Sequence, residues 1–415
     1  MTRFSEWFPR FDYRVWILFV GRLLSQLGTG FTLFYAPIYF VNQVGLSATA
    51  VGIGIGSGSI TGIAGRILGG SFADSPRWGR RKTLLMSAAI SAIGCFVLAI
   101  ANNLPIFVIG NLLLGLGVGL YWPATEAVVA DVTTPDQRGE AYALTRLADN
   151  LGLGLGVVLG GVLISTTSAY QSLFIIDGVS FVVFFGIVFW AITETLDPTH
   201  ASPKFVKGWG VALRDRPLLI YALVNILFTT YLAQIQSAMP LYFSNFAPPG
   251  GATLSAQIVS IIFSWHVVLT AIAQMPIARW LNRVRRIQAL ILAAIAFAVG
   301  FVLVWMAGII AWGHLVWAVL SLTVLAIAAD AYTPTASALV VSMAPDAVRG
   351  VYLSVNSLCW AVGYLVGPAI GGWAMDQPRS IADGFWLVSA FSVGAIVVTL
   401  RYLDRLVRVN AGDRL

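Results

Sequence analysis

The stretch Gly69-Gly70-Ser71-Phe72-Ala73-Asp74-Ser75-Pro76-Arg77-Trp78-Gly79-Arg80-Arg81-Lys82 is a short charged run set between two long apolar ones. Residues 47–73 before it and 83–101 after it are each long enough to cross a bilayer, which takes about 20 apolar residues. One acid, a cluster of basic residues and a glycine turn in that position read as a cytoplasmic hairpin between two transmembrane helices.

Working outward, the same alternation fills the chain. Apolar runs long enough to span lie at residues 14–41, 47–73, 82–101, 104–131, 138–165, 171–193, 217–245, 252–279, 286–307, 311–343, 349–375 and 380–402. Hydrocarbon offers the backbone no hydrogen-bond partners, so these twelve runs are predicted to be helices. The totals agree. Of 415 residues, 58% are hydrophobic and 10% charged, against about 25% charged in soluble domains. The fold class predicted is an all-α integral membrane protein with twelve transmembrane helices.

The basic residues orient it. With the N-terminus cytoplasmic, 21 of the 25 Lys and Arg fall in cytoplasmic segments, Arg379 falls in an opposite-side loop, and Arg22, Arg66 and Arg146 lie inside spans. That asymmetry predicts a multi-pass protein with both termini cytoplasmic, placed here in a bacterial cytoplasmic (inner) membrane. It also accounts for the net charge of +7 without nucleic acid. No signal peptide is evident, and Cys95 and Cys359, inside apolar runs, read as core thiols.

Residues 194–216, with Pro198, Pro203, Lys204 and Lys207, form the long polar interval. They read as a cytoplasmic linker between six-helix bundles at 1–193 and 217–415. The two halves look related. A shift of 211 residues brings Pro123 onto Pro334 and Arg138-Gly139 onto Arg349-Gly350. A shift of 203 brings Pro37-Ile38-Tyr39-Phe40 onto Pro240-Leu241-Tyr242-Phe243, and one of 208 brings Leu46-Ser47-Ala48 onto Leu254-Ser255-Ala256. Such parallel repeats are a transporter plan.

The opening stretch also resembles the loop signature of the major facilitator superfamily, G-x-L-a-D-r-x-G-r-R/K. Gly70, Phe72, Ala73, Asp74, Gly79, Arg80 and Arg81 stand in the matching order, with two extra residues between Asp74 and Gly79. The resemblance, nearest to the twelve-helix drug/proton antiporter branch, implies two pseudo-symmetric bundles and alternating access. It implies a conformational latch in which Asp74 meets the start of the eleventh helix and Arg80 or Arg81 pairs with Asp131. It also places the second, fifth, eighth and eleventh helices, of which the second, fifth and eleventh are glycine-rich here, at the interface between halves. Two departures stand out: Val157 follows Gly156 where that branch has Gly-Pro, and Asn111 stands where the fourth helix has Arg.

Charges inside spans are costly and ask for a reason. Arg22, Glu126, Arg146 and Asp149 fall in the cytoplasmic half of the first bundle. They form either a structural ion-pair cluster or a proton site, with Glu126 the first choice as carrier. Asp330, near the middle of the tenth span, has no basic residue in the second half's spans. It is either protonated, facing water or paired with Arg22. Asp177 reads as interfacial or structural, and His266 and Gln274 as interhelical hydrogen-bonders. Gln26, Tyr35, Tyr121, Trp122, Asn225, Gln234, Gln236, Tyr332, Asn356 and Trp360 are candidate cavity residues, each with a packing role as the alternative.

No G-x-x-x-x-G-K-[ST] loop is present for ATP, and no H-E-x-x-H or partnered G-x-S-x-G. His200, His266 and His314 are scattered. The expectation is a monomeric secondary transporter, not an enzyme, with no metal or cofactor. It takes a small-molecule substrate, with protons as coupling ion and the lipid bilayer as surroundings. Efflux of amphipathic compounds by proton antiport leads. A proton-linked or facilitative carrier of a metabolite or lipid-like solute is the alternative, and a transport-inactive sensor the distant one.

Overall fold

The computed structural model describes residues 11–134, 138–196, 210, 212–246, 254–281, 283–310, 312–344 and 349–412. Among them run α1 (Tyr13–Asn42), α2 (Ala48–Ala73), α3 (Gly79–Ala99), α4 (Leu104–Asp131), α5 (Arg138–Thr167) and α6 (Tyr170–Ala191). There follow α7 (Arg216–Gln236), α8 (Ala238–Asn245), α9 (Ala256–Leu281), α10 (Arg286–Ile309), α11 (His314–Met343), α12 (Arg349–Met375) and α13 (Arg379–Gly412). Among the described residues, twelve helices are long and apolar enough to cross a membrane.

The boundaries follow local chemistry. At the entry to α1, the Asp12 carboxylate accepts the Arg14 backbone N–H and its guanidinium. The side-chain hydrogen bond to Arg14 holds that carboxyl below its ordinary value. Asn103 caps α4 by accepting from Ile106 N at 3.1 Å. The single span expected at 217–245 is two helices, because Pro240 has no N–H to give the carbonyl four residues back and the helix breaks at Ser237. The final helix continues to Gly412, past the expected 402, as a basic extension. The repeat shifts reappear in helix ends: α5 and α12 start 211 residues apart, at Arg138 and Arg349, and α2 and α9 start 208 apart, at Ala48 and Ala256.

Two units make up the chain. The first takes Met1–Ala36 and Ser57–Pro203; the second takes Pro37–Gly56 and Lys204–Leu415. The end of α1 and the start of α2 therefore count with the second unit, a division that loop composition does not mark. Of the linker at 194–216, residues 197–209 and 211 lie outside the described residues.

In the first unit α3 packs on α4 and α6, over a core that includes Val15, Leu84, Val128, Phe184 and Val188. In the second, α10 lies against α11 and α13, α7 against α12, and α9 against α11. The small residues of α5 serve the first unit itself. Gly152 and Gly156 meet the α1 backbone and Gly160 meets the Tyr35 ring, close approach that small residues permit in membranes.

Candidate functional site

In the first unit, Arg22 on α1 is 2% exposed. Its Nε donates to Asp149 Oδ1 on α5 at 2.9 Å and its Nη2 to Oδ2 at 2.5 Å. The guanidinium carbon also lies 5.4 Å from the Tyr121 ring centroid and 5.0 Å from that of Trp122. The cation is thus matched by a two-point carboxylate contact and covered by two aromatic faces of α4. Glu126, one turn beyond Trp122, is exposed. It acts electrostatically on both Arg22 and Arg66, which follows the Gly65 contact between α2 and α4. Arg66 is the in-span cation that charge counting recorded without a role. The side chain of Arg146 lies outside the described residues.

Two other polar groups of the sequence analysis, Asp177 and Tyr35, make buried hydrogen bonds in this unit. Asp177 is fully buried and accepts from Thr32 Oγ1 at 2.6 Å, so it ties α6 to α1 and is not interfacial. Tyr35 is buried and donates to the Val157 carbonyl at 2.9 Å. Gln26 packs beside Gly152.

At the loop, Arg80 is the hub. Its guanidinium bonds Asp74 and the Ala73 carbonyl, and its Nε lies 3.2 Å from Asp131 Oδ2. Asp131 also accepts from Thr195 Oγ1 at 2.9 Å. Arg81 turns elsewhere, to the Phe189 carbonyl at 2.5 Å and over the Phe189 ring. Glu194, which sequence reasoning took only as the first linker residue, caps α3. Its Oε1 accepts from Arg80 N at 2.8 Å and its Oε2 from Arg81 N at 3.2 Å. Gly79 has φ +74°, which favours glycine, and a Cβ there would displace the Glu194 carboxylate from its place at the start of α3. Gly70 has open space around it. Asn282, the repeat-related position of Asp74, is outside the described residues.

The second unit holds an uncharged polar network among α7, α11 and α12. Tyr332 donates to Asn225 Oδ1 at 2.5 Å. Asn225 Nδ2 and Tyr221 OH donate to Asn356 Oδ1 at 2.9 and 2.8 Å. Aromatic rings adjoin it: Tyr332 stacks on Phe228 with centroids 4.6 Å apart, and Trp360 stacks on Tyr364 at 5.9 Å. Tyr364 in turn donates to Gln236 at 3.1 Å. Asn225 and Tyr332 are buried, whereas Asn356, Trp360 and Gln236 are half-buried. Gln234 instead donates to the Gly367 carbonyl at 2.7 Å, which pins α7 to α12. His266 meets the Leu322 carbonyl at 2.9 Å, the interhelical bond expected. Gln274 is exposed and has no hydrogen bond among the described residues, so that expectation fails for it.

Asp330 is 4% exposed, and its Oδ2 has no hydrogen-bond partner among the described residues. Pro334, four residues on, also removes the N–H that would bond the Asp330 carbonyl. The middle of α11 is therefore a polar spot inside an apolar helix.

The family model for the major facilitator superfamily matches residues 18–261 and 249–414. The chain belongs to this superfamily. It is a multi-pass secondary transporter of small molecules, and its work is movement across a membrane rather than bond chemistry. Among curated relatives, the chain is similar to the multidrug resistance protein MdtH of Yersinia enterocolitica, at 25% identity over 374 residues and 88% of each chain. It is likewise similar to that of Cronobacter sakazakii, at 25% identity over 366 residues, 88% of this chain and 87% of that one. Among solved structures, the fold matches the nucleoside transporter NupG with TM-score 0.79 and 15% identity, over 94% of this chain and 98% of that one. It also matches the peptide transporter POT bound to alafosfalin with TM-score 0.76 and 16% identity, over 94% and 93%.

Proposed function

We propose that the chain exports small amphipathic compounds in exchange for protons, across a bacterial cytoplasmic membrane with both termini inside. The observation that carries this reading is the chemistry of the second unit's polar wall. The half-buried Asn356 and Trp360, backed by the buried Asn225 and Tyr332, offer an aromatic face and neutral hydrogen-bonding groups, with no Lys or Arg in the helices that hold them except at their ends. Such a surface binds by area and stacking rather than by matching a fixed charge. The likeness to MdtH proteins of drug resistance supports the same direction of transport.

Coupling is assigned to Glu126. Arg22 is already matched by Asp149, so protonating Glu126 unbalances a local charge set that also includes Arg66. Unbalancing by one charge is the kind of local event that shifts a two-state equilibrium. Asp330 is the second acid in this proposal and serves the second unit. The loop cluster of Asp74, Arg80 and Asp131 is assigned the latch role on the cytoplasmic face.

The test is flux in proteoliposomes across a panel of amphipathic dyes and polar metabolites, with and without a pH gradient. Gradient-driven flux of the amphipaths is expected, with loss of the gradient dependence in Glu126→Gln at unchanged thermal stability. Flux indifferent to the gradient, or unaltered by Glu126→Gln, defeats the coupling assignment. Flux confined to the metabolites moves the substrate to the carrier alternative.

A further inference from the structure

The face opposite the basic loops carries a contact that the assigned groups do not use. Asp376, just past α12, is exposed. Its Oδ1 accepts from Ala48 N at 2.7 Å, its Oδ2 accepts from Thr49 N at 2.7 Å, and the Thr49 hydroxyl bonds the same Oδ2. Ala48 and Thr49 begin α2, more than 320 residues away in sequence. The first N–H groups of a helix have no partner within it, and a carboxylate there also meets the positive end of the helix dipole. Here Asp376 satisfies two of them, while Ser47 takes Ala50 N through its Oγ at 3.1 Å.

The cap sits on a close backbone contact. A Cβ on Gly52 would strike the Pro368 carbonyl, and one on Gly372 would strike the Ala48 carbonyl. Beside it Asn42, at the end of α1, and Asn245, at the end of α8, exchange amide hydrogen bonds of 3.1 and 3.0 Å. Beneath lies a small cavity lined in part by Ala48, Val51, Gly52, Ser237 and Leu241. All of these residues belong to the second unit.

A transporter that alternates access must separate the ends of its helices on each face in turn. Held groups that are strong when made and readily solvated when broken suit such a contact. The Asp376 carboxylate and its bond to Thr49 N lie at the surface, where water replaces the bond once it parts, while the bond to Ala48 N is half-buried.

We infer that Asp376 is a gating residue: its carboxylate holds the face opposite the basic loops shut by capping α2, and its release accompanies opening of that face. It positions α2 and does not touch the substrate. The residue has no acidic counterpart in the other repeat, since the 211-residue shift places Ser165 opposite it. This contact is therefore a bias built into one half. The inference uses alternating access, and of the proposed function it borrows only which face is external.

The test places a reporter under the cap. Ser237→Cys, buried in that cavity wall, is combined with Asp376→Asn, Asp376→Ala or Asp376→Glu, and a membrane-impermeant maleimide is applied to either face of reconstituted vesicles. Loss of a cap worth about 1.4 kcal/mol raises the open population, and with it the labelling rate at position 237, about tenfold. Asp376→Asn and Asp376→Ala are expected to do so, and Asp376→Glu to restore the slow rate. Cys95, fully buried in the first unit, is expected to stay unlabelled. Equal rates in all variants overturn the inference. Labelling of Cys95 along with position 237 also overturns it, because Asp376 then holds the fold and not a gate. The face from which the reagent acts is part of the test: a rise seen only from the face of the basic loops overturns the inference, because the opening is then not on the face that Asp376 caps.

Discussion

Replacing Asp149 by Ala leaves Arg22 buried with its charge unmatched. The side chains of the pair are 3% and 12% exposed, so water cannot fill the vacated place cheaply. Removing one partner of such a pair costs about 3–5 kcal/mol. Two terms temper this. The Tyr121 and Trp122 faces remain and each contributes about 0.5–2 kcal/mol to a desolvated cation, and the exposed Glu126 also acts on Arg22. A loss near the lower end, about 3 kcal/mol, is therefore expected for Asp149→Ala. Replacing both residues by apolar ones, Arg22→Met with Asp149→Leu, removes the charge as well as its partner. That variant is expected to return to within about 1 kcal/mol of the parent. Thermal unfolding in one detergent, followed by intrinsic fluorescence, measures the parent, Arg22→Met, Asp149→Leu and the double variant, the four corners of the cycle. A double variant no more stable than the sum of the two single losses would refute the claim that the pair exists to neutralise Arg22. Transport separates structure from coupling: flux retained in the stable double variant makes the pair a strut, and flux lost at full stability makes it part of the proton path.

Asp74→Asn removes a carboxylate whose side chain is 66% exposed, so stability is expected to change by under about 1 kcal/mol; transport rate at equal expression is expected to fall, and an unchanged rate would leave the loop as a topological signal. Gly79→Ala forces a Cβ into a positive-φ site and against Glu194, and is expected to destabilise by about 1–3 kcal/mol, read by the same unfolding assay. Glu194→Ala removes the α3 cap and is expected to cost about 0.5–2 kcal/mol, with Glu194→Asp as the shortened control. Asn356→Ala strips an acceptor shared by Tyr221 and Asn225; competition assays across the dye panel are expected to show altered KM values with little change in expression, and an unaltered profile would move the binding wall away from α12.

The membrane architecture was legible because it rests on long-range composition. Twelve apolar lengths and a one-sided basic pattern suffice for it, and a tandem repeat survives loop drift. Single contacts were less so. The Arg22–Asp149 pair could be narrowed to four residues by depth, but Glu126 and Asp149 differ in which way their helices turn, which spacing alone does not give. Arg80 and Arg81 are neighbours with equal charge, yet adjacent positions on a helix diverge by about 100°, so one meets Asp131 and the other a backbone carbonyl. Glu194 and Asp376 were missed for a common reason. Each is an acid just past a helix end, where sequence reads it as a solvated loop charge, and each caps a helix distant in the chain. The break at Ser237 did have a local signal in Pro240, which the length of the apolar run outweighed.

Asn42 and Asn245 are 203 residues apart, the same offset that aligns the proline motifs beside them. Two equivalent side chains bonding each other reciprocally is the geometry of an isologous contact, the kind two identical subunits make across a twofold axis. The contact thus has the form of a dimer interface preserved inside one polypeptide. A symmetric joint of that sort favours neither partner. The acids Asp74 and Asp376, matched in the other repeat by Asn282 and Ser165, break that equivalence, one on each face.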